Sequence, residues 1–222
     1  MVFSRRETDM AAESVIADFL DENLYANLLK EGKFTSIYRE YSRERQLQGI
    51  DVTVNSRSSS VNIDEKAQLY YINKDLPTFA FELQFLRGGE ATTGWLLNDC
   101  LLTDLYLLIW PFAKVDDLAL LRKDNITHLD ALLVSKESVR NFLDDKGLTA
   151  AKMQSQIVQL RRSGIIGRYN TEIQGVYYFV SSRNQYAEGP INIVIKKSYL
   201  EEIAEAHYDI YPGGFSRYFK YD

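Results

Sequence analysis

"IDVTVNSRSSSVNIDEKAQ", residues 50–68, decides how this chain is read. Two runs of alternating apolar and polar residues flank "SRSSS", the pattern of an antiparallel hairpin with a five-residue connection. Successive side chains on a strand point to opposite faces, so Asn62, Asp64, Lys66 and Gln68 share one face while Val61, Ile63 and Ala67 share the other. Asp51 alternates in the same sense against Ile50 and Val52. In a hairpin the two polar faces coincide, which brings Asp51 onto the same spot as Asp64 and Lys66. The plainer account is the solvated face of a sheet, with Asp64 and Lys66 in a ladder worth a few tenths of a kcal/mol.

Upstream, "TDMAAESVIADFLDENLYANLLK", residues 8–30, sets Ala12, Val15, Ile16, Phe19, Leu20, Leu24 and Leu28 at helical spacing. A polar stretch at 38–48 follows and reads as partly helical, closed by Gly49. Arg39, Arg43 and Arg45 lie in it, just before the hairpin. Downstream, "LPTFAFELQFL" at 76–86 reads as a third strand continuing the meander, with Phe79, Phe81 and Leu83 in one row and Glu82 in the opposite row, where it could join the charged residues. "TDLYLLIWPFA" at 103–113 reads as a fourth strand covered on both faces. Then come a strand passing into a helix over 129–148, with Ser135 as N-cap and Gly147 as stop, and a helix over 149–164. Strands at 175–182 and 191–197 and a last helix at 198–208 complete the chain.

The totals bound the answer. At 222 residues and 45% apolar composition, one large domain with a real core is expected. A single cysteine, Cys100, excludes an internal disulfide framework, and no apolar run has the length of a spanning helix or leader; a cytoplasmic location is expected. A formal charge of −5 argues against a protein that coats nucleic acid non-specifically, although a carboxylate site for cations is itself acidic.

Grouped carboxylates beside a lysine suit phosphodiester hydrolysis. Carboxylate oxygens hold Mg²⁺ while water fills the remaining positions, and the metal lowers the pKa of a bound water and neutralises charge on the phosphate. A neighbouring lysine orients the water or stabilises the pentacovalent state, worth about 3 kcal/mol by analogy with other placed donors.

"GIDV" followed by "IDEKAQ" resembles the PD-(D/E)xK nuclease superfamily, in which an acidic residue starts one strand and (D/E)-x-K lies on the next. The resemblance implies an α/β restriction-endonuclease-like core of helix, antiparallel strand meander and mixed sheet over residues 1–113, with residues 114–222 as an α/β extension that completes the sheet or shapes a groove for DNA. It matches Asp51 to the first acid, Asp64 to the second and Lys66 to the lysine. It also implies a helix glutamate, Glu13 or alternatively Glu22, and a polar residue at Gln68, with Glu82 as a further supporting acid. Asp51, Asp64 and Glu13 would bind Mg²⁺ or Mn²⁺; DNA is the implied partner, and a homodimer is compatible with it. Glu65 is a departure, placing a charge where an apolar residue is usual. The alternative is an inactive relative that keeps the fold as a binding or assembly module.

Other polar features fit blander roles. His128 and His207 lie far apart in sequence and lack metal-ligand spacing, so they read as surface or helix-end residues. "RGGEATTG" and "YPGGF" read as turns, and Ser58, Ser59 and Ser60 as the hairpin connection. "LRRSGIIGRY", with Arg161, Arg162 and Arg168, reads as a basic helix end favoured by the helix dipole, with a phosphate-contacting loop as the alternative.

Overall fold

The computed structural model describes residues 6–182 and 188–218. In chain order the first half holds helix α1 (Arg6–Leu20), a π-helical turn (Asp21–Tyr25), α2 (Ala26–Lys30), strand β1 (Ser36–Arg39), α3 (Arg43–Leu47), β2 (Val52–Asn55), β3 (Ser60–Ala67), β4 (Thr78–Arg87), β5 (Glu90–Thr93) and β6 (Leu105–Ala113). The second half holds β7 (Ile126–Ser135), α4 (Lys136–Asp145), α5 (Ala150–Ser163), β8 (Gly167–Asn170), β9 (Val176–Val180), β10 (Ile191–Lys196), α6 (Lys197–Ile203), β11 (Ala206–Tyr211) and β12 (Gly214–Tyr218).

These elements form two compact units that interleave in sequence. The first takes residues 6–76, 102–135 and 204–218, and the second takes 77–101 and the described residues of 136–203.

The first unit is built on a seven-stranded mixed sheet in the order β1-β2-β3-β6-β7-β11-β12. Every neighbouring pair is antiparallel except β3 and β6, which run parallel with Asp64 opposite Tyr106 and Lys66 opposite Leu108. A parallel pair needs a long crossover, and residues 68–104 provide it. On one face the helical segment packs Ala12, Ile16, Phe19, Leu20 and Leu24 against Val52, Ile63, Leu107 and Ile109, all nearly inaccessible to solvent. Helical spacing on one side and strand alternation on the other thus meet in one core. β6 is buried on both faces along most of its length, as its continuous apolar run leads one to expect.

The second unit holds a five-stranded antiparallel sheet in the order β5-β4-β10-β9-β8. Here the sequence-based order needs correction. The strand at 76–86 does not continue the meander: as β4 it pairs with β10 and β5, so Glu82 sits opposite Asn192 in a different sheet from Asp51 and Asp64. Phe79, Phe81 and Leu83 are buried, so the alternation was real; alternation identifies a strand but not its partner. The last helix is also shorter than the 198–208 stretch, ending at Ile203. Ala206, Tyr208 and Ile210 then alternate inward as β11. Part of the polar stretch before the hairpin is the edge strand β1.

Candidate active site

Gly49 sets the approach to the site. Its φ of +77° suits glycine and turns the chain out of α3, while its carbonyl accepts a hydrogen bond from Thr103 Oγ1 at 2.7 Å. Ile50 is then fully buried, and Asp51 arrives one residue before β2. The Asp51 backbone N–H donates to the Ile63 carbonyl at 2.9 Å, and its Oδ2 accepts from the Glu65 N–H at 2.8 Å, so both ends of the residue are fixed against β3.

On β3, Asp64 is 3% exposed. Lys66 Nζ donates to Asp64 Oδ1 at 2.5 Å, two residues along the same face. Burial pushes the Asp64 carboxyl up to about 7; Lys66 opposes the shift and Asp51 adds to it, both by its charge and by a hydrogen bond between the two acids. Burial works against the Lys66 ammonium, but Asp64, Asp51 and Glu13 outweigh it, and its pKa is raised. Lys66 is therefore a cation at neutral pH and cannot serve as a general base there.

Glu13, on α1, joins this field. Desolvation raises its carboxyl, Lys66 lowers it, and Asp51 and Asp9 raise it. The alternative, Glu22, lies elsewhere: it is largely exposed and pairs with Lys123 Nζ at 2.8 Å. Gln68 follows the end of β3, its N–H bonded to the Ile109 carbonyl at 3.0 Å. Glu82 belongs to the second unit.

No family model matches the chain, and no curated protein or solved structure does so either.

Glu65, which stands between Asp64 and Lys66, turns to the helical face. Arg39 Nη1 and Nη2 donate to its two carboxylate oxygens at 2.9 and 3.0 Å, and Tyr25 Oη donates at 2.8 Å. Arg39 also grips Asp21 through Nε at 2.7 Å and Nη2 at 2.8 Å. The charge between the two site residues thus belongs to a structural network on the opposite face, and so does Arg39.

Two residues escaped the sequence reading. Asp9 lies one helical turn before Glu13, and Tyr70 Oη donates to its Oδ1 at 2.5 Å. The spacing of four to Glu13 was a usable signal for Asp9. Nothing marked Tyr70, because its position depends on the 3₁₀ turn Leu69–Tyr71 that follows β3. His128 stacks on Phe112 at 4.2 Å, and His207 Nε2 lies 2.6 Å from Asp130 Oδ1; both histidines are on strands.

Among the described residues no group of three or more His, Cys, Asp or Glu side chains is placed to hold a metal. Burial, with the Asp51 charge adding to it, pushes the Asp64 carboxyl up to about 7, so a second negative charge is poorly tolerated at this spot. A hard cation would relieve it, and Mg²⁺ commonly uses one or two carboxylates with water in the other positions. The donor chemistry fits that ion.

Proposed function

We propose that this chain is a metal-dependent nuclease that hydrolyses DNA phosphodiester bonds at the Asp51, Asp64 and Lys66 cluster. The observation that carries the reading is the convergence of two carboxylates and a charged lysine at the β2 and β3 positions that the PD-(D/E)xK resemblance singles out. The helix, the three-strand meander and a mixed sheet are consistent with it.

Asp51 and Asp64 would hold Mg²⁺ or Mn²⁺ with Glu13 in support, and the ion would supply Lewis-acid activation of water and charge neutralisation at the phosphate. Lys66 contributes a fixed positive charge and an N–H donor toward the oxygen that gains charge in the transition state. The Glu65 backbone N–H holds the Asp51 carboxylate in orientation. Asp9 and Tyr70 fix the first turn of α1, and with it Glu13.

The test is cleavage of plasmid, linear duplex and single-stranded DNA with Mg²⁺ or Mn²⁺. Asp64→Asn and Lys66→Ala are each expected to lose roughly 10²-fold or more of the rate. Glu22→Gln and Glu82→Gln should cut at the parental rate. Equal cutting by all the variants would reveal a contaminant and end the proposal.

A second reading, an inactive member acting as a binding module, is favoured by the close Lys66–Asp64 pair and by the absence of a third acid at metal distance among the described residues. It predicts no cutting with either metal and no metal-dependent rise in thermal stability.

A further inference from the structure

The second unit contains a basic surface that the carboxylate cluster does not use. α4 and α5 are joined by four residues, 146–149, among them Gly147 at φ +78°. Thr149 caps α5, its hydroxyl accepting from the Lys152 N–H at 3.3 Å. The short turn contains glycine, and the hairpin β8–β9 follows α5.

α5 buries Met153, Ile157 and Leu160. Lys152, Ser155, Gln159 and Arg162 recur at spacings of three and four, which sets them in a stripe on the other side, and all four are exposed. On the hairpin, the Arg168 guanidinium lies 3.9 Å from the centre of the Tyr177 ring, and its Nε donates to Asn170 Oδ1 at 2.7 Å, so this exposed cation is held in place. From Lys146 to Thr171 the chain has no acidic residue and five cations, although the whole protein is acidic with a net charge of −5.

A basic helix end answering the dipole accounts for Arg161 and Arg162. Arg161 is also structural, its Nε donating to Gln84 Oε1 at 2.9 Å. The dipole does not account for Lys152, which lies in the first turn where a cation is disfavoured, nor for Arg168 on a strand. A stripe of lysine, serine, glutamine and arginine along one exposed helix face is the set of side chains that meets phosphates and base edges.

We infer that this face binds duplex DNA, with the exposed stripe of α5 in the major groove and Arg168 of the hairpin against the neighbouring phosphate backbone. The inference deepens the proposed function and takes DNA as the partner from that reading, but it does not depend on cleavage.

The test measures anisotropy of a fluorescent duplex of about 20 base pairs with the full chain in EDTA, across a salt series. The triple variant Lys152→Ala, Arg162→Ala, Arg168→Ala is expected to bind roughly ten-fold or more weakly and to lose about 2 from the salt slope. A charge-matched control, Lys33→Ala, Lys74→Ala, Lys114→Ala, takes three exposed lysines from the first unit and should bind like the parent. Circular dichroism melts establish that both variants are folded. Equal binding by the two triple variants, a preference for single strands or RNA, or no duplex binding by the parent would each overturn the inference. Stripe-dependent binding by a parent that cuts nothing would retain this surface and remove the nuclease reading; metal-dependent cutting with stripe-independent binding would do the reverse.

Discussion

Asp64 is 3% exposed and lies against both Lys66 and Asp51, and its carboxyl is pushed up to about 7. In an unfolded chain it would titrate near its ordinary value of about 3.8. Between roughly pH 4 and 7 the folded state therefore binds more protons than the unfolded state, and this group's contribution to stability falls as pH rises through that window, levelling off above it. Asp64→Asn should remove that fall and gain on the parent by up to a few kcal/mol at pH 8, with little difference at pH 4. Urea unfolding in EDTA across that range measures it; a parallel pH dependence in parent and variant would contradict the assignment of the shift to Asp64. The same substitution that stabilises is expected to lower the proposed cutting, a trade of activity against stability at a buried acid. At this scale the sequence was informative. Asp51, Asp64 and Lys66 were legible because strand alternation assigns a face to each residue, whereas Tyr70 was not, because it comes off a turn that no local pattern marked.

Among the elements, the helical segment and the edge of the seven-stranded sheet are joined by Arg39. From β1 it reaches Asp21 in the π-helical turn and Glu65 on β3, and the side chains of Arg39 and Glu65 are only 11% and 10% exposed. Removing one partner of such a buried pair leaves an uncompensated charge, so Arg39→Ala should lose about 3 to 5 kcal/mol. Adding Glu65→Leu to Arg39→Ala should recover part of that loss, and chemical denaturation of the two variants decides it; a double variant less stable than the single one would count against the network. The π-helical turn buries Asn23 and Tyr25 together, with Asn23 Oδ1 accepting from the Gly213 N–H at 2.7 Å in the β11–β12 turn. Sequence periodicity identified this segment as one helix but did not register the π-helical turn, where Asn23 and Tyr25 bond to distant segments. The β2–β3 hairpin was legible for the opposite reason: its partners are neighbours in sequence.

Across the whole molecule, the chain completes each unit only after leaving it. The seven-stranded sheet needs β7, β11 and β12 from the second half of the sequence, and β6 pairs along its length with β7. A fragment of residues 1–113 would present β6, with its run of Leu105, Tyr106, Leu107, Leu108, Ile109 and Trp110, as an apolar edge. It is expected to aggregate where the full chain does not, a difference that size-exclusion chromatography of the two reads directly; a monomeric, cooperatively melting fragment would argue against the interleaved division. By itself the sequence determined β2, β3, β4, β6, β7, β9 and β10, most of the helices and the face on which Asp51, Asp64 and Lys66 stand, because helical and strand periodicity and turn chemistry act over a few residues. Only the tertiary structure decided that β4 and Glu82 belong to another sheet, that Glu13 and not Glu22 shares the field of Lys66, and that Glu65 serves Arg39. Those outcomes depend on pairing and packing between distant segments, and a strand pattern carries no record of which strand it will meet.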